Sequence, residues 1–130
     1  MLLFGHRFIP SENFYHIDSV SAIEKTPPSS TLYLHFCEEN LDIIEHINTN
    51  AIKFILHVQN TTELIYASAL GAKFILVPKE IAKTAQEIAE SYLFDAKILV
   101  KIEEESEIEE MALLGIDGLL FANAIIKITD

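Results

Sequence analysis

Apolar positions along the chain fall into short unbroken runs separated by longer stretches in which they recur every three or four residues. Residues 97–123, KILVKIEEESEIEEMALLGIDGLLFAN, carry the pattern most completely. Residues 97–102 have the length and apolar character of a buried strand. Ser106 and Glu109 stand at capping-box spacing for a helix, Ile108, Met111, Ala112 and Leu114 give it one apolar stripe, and Gly115 suits a left-handed C-cap. Residues 119–122 then resume as a strand. Two strands joined by one helix run parallel, with a right-handed crossover.

The same alternation extends back to residue 31. Strand 31–36 precedes helix 39–47, and strand 52–58 precedes helix 61–70, capped by Asn60 with Glu63 and closed by Gly71. Strand 73–77 leads through Pro78 into a helix ending near Leu93, with Ile81, Ala85, Ile88, Ala89 and Tyr92 as its apolar stripe. Five strands alternating with four helices predict an α/β chain with a parallel sheet. Upstream, residues 1–4 and 14–17 read as short strands around a Pro-Ser-Glu-Asn turn. One or two helical turns over 19–25 and a Pro-Pro-Ser-Ser linker at 26–30 follow. The expected organisation is one α/β domain, 1–130, with 1–30 irregular and 31–126 built of repeated βα units. Residues 53–77 lie over 97–121 without a gap at a constant offset of 44, matching Lys53 to Lys97, Glu63 to Glu107 and Gly71 to Gly115, as duplicated βα modules would.

Side chains alternate across a strand, so each run can be divided by parity. One expected face holds Phe54, Leu56, Phe74, Leu76, Ile98, Val100 and Leu120, uniformly apolar and suited to helices. The other holds Tyr33, His35, Ile55, His57, Ile75, Val77, Leu99, Lys101, Leu119 and Phe121, apolar in mid-strand and polar at the ends. A sheet covered by helices on both sides should be apolar on both faces, whereas a barrel wall is asymmetric in this way. The reading is a parallel sheet of about five βα units forming an incomplete (half) TIM-barrel-like structure. A flavodoxin-like three-layer α/β/α sandwich is the alternative. An uncovered inner face predicts a homodimer with inner faces or sheet edges apposed.

Composition narrows the classes. At 130 residues with half of them apolar, the chain can bury a core. A formal charge of −11 argues against nucleic acid and anionic membrane surfaces. The single cysteine, Cys37, permits no intramolecular disulfide and fits a reducing, cytoplasmic setting. The apolar N-terminus is interrupted by His6 and Arg7, too early for a signal peptide or a membrane span.

Ligands of parallel α/β sheets bind at the carboxyl ends of the strands. Reading those ends gives His35 and Cys37, His57 and Gln59, Lys79, Lys101 and Glu103, and Asn123. Histidine is suited to proton transfer near neutral pH, and a lysine beside a carboxylate would bind or polarise an anion. His57, Lys101 and Glu103 are therefore the catalytic candidates, with His35, Gln59, Ala122 and Asn123 as ligand contacts. His35, Cys37 and His57 lack the spacing of a metal motif, and six glutamates in 103–110 read as the solvated start of a helix. His6, Arg7 and His16 have no constellation around them. No metal or cofactor is expected.

The stretch Gly115-Ile-Asp-Gly-Leu-Leu-Phe-Ala-Asn-Ala-Ile125 resembles the last phosphate-binding strand of (βα)8 enzymes such as tryptophan synthase alpha-subunits and thiamin-phosphate synthases. These carry Gly-Ala-Asp-Gly-x-x-x-Gly-Ser-Ala-Ile there. The resemblance implies a phosphate cradled by backbone amides at a short helix, with Ala122 and Asn123 at the Gly-Ser positions. Those two residues, and Lys101-Ile-Glu where the family has a glycine-rich loop, depart from the pattern. Lys101-Ile102-Glu103 also looks like a strand end of pyruvate kinases, where lysine assists phosphoryl transfer and glutamate holds a metal. The expectation is a homo-oligomeric, non-catalytic binding or assembly module. The alternative is a lyase or isomerase of a small phosphorylated or otherwise anionic metabolite.

Overall fold

The computed structural model describes residues 1–129. Eight strands form one all-parallel sheet: β1 (Leu2–Phe4), β2 (Phe14–His16), β3 (Thr31–His35), β4 (Phe54–His57), β5 (Phe74–Val77), β6 (Lys97–Lys101), β7 (Gly118–Leu120) and β8 (Ile125–Lys127). Helices α1 (Val20–Ile23), α2 (Leu41–Thr49), α3 (Thr61–Ala69), α4 (Ala82–Ser91) and α5 (Ser106–Leu113) occupy the crossovers from β2 onward to β7. The strand order is β1-β7-β6-β5-β4-β3-β2-β8.

The sheet is strongly curled, in the manner of a half-barrel. Phe4, in the strand at one end, lies with its ring 4.9 Å from that of Phe14, next to the opposite end, and 5.4 Å from that of Phe74 in β5. Contacts between strands so far apart in the order require the inner faces to turn toward one another. The chain itself spans the two ends: the short 3-10 turn Ala122–Ala124 connects β7, beside β1, to β8, beside β2.

Two apolar clusters result. The outer one joins Leu32, Leu34, Phe54, Leu56, Ile75, Val77, Ile98, Val100 and Leu119 to helix residues such as Ile44, Leu64, Ala85 and Met111. The inner one consists of Phe4, Phe14, Tyr33, Ile55, Phe74, Leu76, Leu99, Leu120 and Ala124, with no α-helical residue. That composition excludes the three-layer sandwich, because no α-helix covers the inner face. The inner face is filled by the chain's own rings, so the uncovered surface that motivated a dimer there is not present.

Parity assigns β3, β4 and β6 correctly and reverses β5 and β7. Phe74, Leu76 and Leu120 point inward, and Ile75, Val77 and Leu119 point outward. Pairing of Ile55 with Phe74, and of Leu99 with Gly118, sets the actual phase. Alternation is a rule within one strand and does not cross a helix.

The 44-residue repeat is reproduced in local structure. Asn60 Oδ1 accepts from the Glu63 amide at 2.9 Å, and Glu63 Oε1 accepts from the Gln59 amide at 2.9 Å. In the second unit Glu107 Oε2 accepts from the Glu103 and Glu104 amides at 2.9 and 3.0 Å. Glu107, rather than the expected Ser106–Glu109 box, satisfies these donors, because Ser106 is already inside the helix. Gly71 and Gly115 both close their helices with positive φ, 88° and 75°. Helix α4 starts later than expected, after a 3-10 turn at Lys79–Ile81. It buries Ala82, Ala85, Gln86 and Ala89, while Tyr92 lies outside the stripe, 76% exposed. Strand β8 was not foreseen. No helix of the described residues is long and apolar enough to cross a membrane.

Candidate functional site

Five strands end on an imidazole or an ammonium group: β2 on His16, β3 on His35, β4 on His57, β6 on Lys101 and β8 on Lys127. Each lies two residues beyond a residue of the inner cluster or one packed against it: Phe14, Tyr33, Ile55, Leu99 and Ile125. By alternation all five belong to the inward face at the carboxyl ends, the mouth of the curled sheet.

Three of them meet around Tyr33. The His35 and His57 rings stack at 4.7 Å between centroids and 29° between planes, as their side-by-side register requires. His16 lies 5.5 Å from His35 and 4.9 Å from Tyr33. The Tyr33 hydroxyl is 2.6 Å from Nδ1 of His57. Burial pushes the Tyr33 phenol up to about 12, so it keeps its proton. That hydroxyl has no other partner among the described residues. In the tautomer that gives this proton an acceptor, the hydroxyl donates to Nδ1 and the His57 N–H lies on Nε2. His57 is held down at about 4, first by burial and then by His35, Lys101 and His16, and so stays neutral at physiological pH. His16 is lowered by burial, Lys127 and His35, with Asp18 opposing. Lys127 Nζ is paired with Asp18 at 2.6 Å. Lys101, exposed, has no ion pair among the described residues.

Of the predicted site residues, the structure brings together His35, His57 and Lys101. Glu103 is exposed, its amide committed to Glu107, and it follows the end of β6. Gln59 is likewise exposed and serves the start of α3 through its backbone. Lys79 turns to Glu107 and Glu110, at 3.2 and 3.0 Å. Ala122 and Asn123 form the turn against β1, where a Cβ on Gly5 would stand 2.8 Å from the Asn123 Oδ1. Cys37 precedes a 3-10 turn, its thiol pushed up by burial and by Glu39. No group of three His, Cys, Asp or Glu residues among those described could hold a metal ion.

His16 corrects the expectation that it stands alone, and with Tyr33 and Lys127 it was missed as a site residue. Its position two residues after Phe14 was the available signal, but only the pairing of β2 with β3 places it beside Tyr33. His6 is not isolated either. The Phe8 amide donates to its Nδ1 at 3.1 Å, so its Nε2–H donates to Glu105 at 3.2 Å, while Arg7 reaches the same carboxylate oxygen at 3.1 Å.

Clefts lie at both ends of the sheet. One of about 220 Å³ lies between Gly5, His6, Arg7, Glu103, Glu105 and Phe121 at the mouth end. A larger one of about 550 Å³ lies at the amino ends of β3 and β4, among Ile23, Thr26, Pro27, Ser29, Ala51 and Lys53. The larger is far from the imidazoles and is lined mainly by loop residues. Chemistry rather than volume therefore identifies the mouth as the candidate site. No protein family and no curated protein matches the chain.

Proposed function

We propose that this protein is a binding module for a small anion, held at the mouth by Lys101 and by the N–H of a neutral His57. The observation that carries the reading is the convergence of His16, His35 and His57 around Tyr33 beside an ammonium group with no counter-ion among the described residues. An anion there gains charge-assisted hydrogen bonds from the Lys101 ammonium and from the N–H of neutral His57. Nδ1 of His57 is occupied by Tyr33, and Asp18 is tied to Lys127. The likeness of residues 115–125 to a phosphate-cradling strand agrees with an anionic ligand. Placing it on the imidazole side follows from the crowding of Asn123 and Ala124 against Gly5.

Thermal melts in sulfate, phosphate and small carboxylates test this reading. A ligand at 100 times its Kd stabilises by about 2.7 kcal/mol, a rise of several degrees for a chain of this size. Wild type should show the rise at millimolar anion, and Lys101→Ala should lose most of it while remaining folded. No rise for any of these anions at tens of millimolar would overturn it. Self-association, expected from the sequence, would on this account use outward apolar side chains such as Leu93 and Leu113, 85% and 81% exposed. Light scattering from low micromolar concentration reads it directly, a single-chain mass throughout removing it.

A further inference from the structure

We propose that the mouth takes up its anion together with a proton, which lodges on His57, so that binding tightens as the pH falls. The inference rests on the anion-binding reading and adds its regulation. The groups facing His57 are Tyr33 and His35 from β3, His16 from β2 and Lys101 from β6. Lys127 with Asp18 lies beside His16, and the register partner from β5 is the apolar Leu76. In the free protein this set offers His57 no unpaired negative charge: one carboxylate, Asp18, is present and Lys127 neutralises it. A proton arriving on His57 would have to occupy a half-buried ring stacked at 4.7 Å on a second imidazole and near an ammonium group.

An anion seated between Lys101 and Nε2 of His57 reverses that balance. It supplies the missing counter-charge at the one nitrogen that Tyr33 leaves free. Protonation of His57 occurs at Nδ1, which already faces the Tyr33 oxygen at 2.6 Å. The hydroxyl oxygen can then accept from Nδ1–H in place of donating to it. Linkage makes the effect reciprocal: whatever raises the proton affinity of His57 is itself bound more tightly when His57 is protonated. The coupling acts below the ordinary histidine value and fades as His57 becomes protonated without ligand.

Isothermal titration with sulfate, which does not itself titrate between pH 5.5 and 7.5, tests this. Titrations in two buffers of different ionisation enthalpy report the protons taken up. The expected result is measurable uptake at pH 5.5, with affinity rising several-fold from pH 7.5 and by no more than about tenfold per pH unit. In His57→Gln, folded by circular dichroism, sulfate should still bind through Lys101, but the uptake should vanish. Binding with no proton uptake and an unchanged affinity across this range would overturn the proposal and leave the anion site standing. Uptake that persists in His57→Gln would place the proton elsewhere and also overturn it. Failure of sulfate to bind at any pH would overturn both.

Discussion

Tyr33 and His57 set the character of the site. A phenol that keeps its proton and an imidazole kept neutral are matched donor and acceptor, and neither needs a charge to satisfy the other. The folded protein thus holds His57 below its unfolded value of 6.5, at about 4. Between these values the unfolded chain binds more protons than the folded one. This contribution to stability is therefore complete above pH 6.5 and is lost progressively as the pH falls to about 4. Melting temperatures of ligand-free protein should fall across that window, and His57→Gln should show a shallower fall than wild type. Parallel curves for the two proteins would mean that His57 titrates normally. At this scale the sequence was informative for His35, His57 and Lys101, because each closes an apolar run at a recognisable strand end. It was silent on His16, whose neighbours come from a strand separated from it by a short helix and a linker.

At the scale of elements, the repeat at offset 44 is the most informative feature. It relates Glu63 to Glu107, which both reach back to satisfy amides ahead of their helices, and Gly71 to Gly115, which both end them. It also relates inward Phe74 to Gly118, and here the two units differ for a packing reason. A Cβ on Gly118 would stand 2.6 Å from the Leu99 Cδ2 and 2.9 Å from the Leu2 Cβ. The bare backbone lets β7 sit close between β6 and β1. Gly118→Ala should destabilise the protein by about 1–3 kcal/mol, read as a lower denaturation midpoint at unchanged slope. A neutral substitution would show that β1 is not held against β7 as described. The reversed faces of β5 and β7 mark where sequence reasoning runs out. Their runs, FILV and GLLF, are apolar at nearly every position, so either parity fits, and only pairing with Ile55 and Leu99 chooses between them. Strand β8 was hidden for a related reason. It begins immediately after a 3-10 turn, without the helix that announces the other strands from β3 to β7.

Taken whole, the chain wraps a parallel sheet until residues near its two ends touch, and it does so with far fewer residues than eight full βα units require. The saving lies at the ends: no helix separates β1 from β2, and a three-residue turn joins β7 to β8. Phe4, Phe14 and Phe74 fill the interior, their rings within 5.6 Å of one another. A small anion of the proposed kind would thereby be confined to the mouth, above a floor of aromatic rings. The charge distribution fits the same picture. In a chain of net charge −11, His16, His35 and His57 gather around Tyr33, with Lys101 and Lys127 at neighbouring strand ends. The central claim is that this gathering is where an anion binds. Its most direct test is an NMR titration with sulfate at pH 6, following the five histidine side chains and the backbone amides together. The account predicts that the ring signals of His35 and His57 shift saturably, those of His16 follow, and His46 on α2 does not respond, with the shifts absent in Lys101→Ala. Saturable shifts confined to the amides of residues 121–125, or to the cleft at 26–30, with the mouth histidines unmoved, would contradict it.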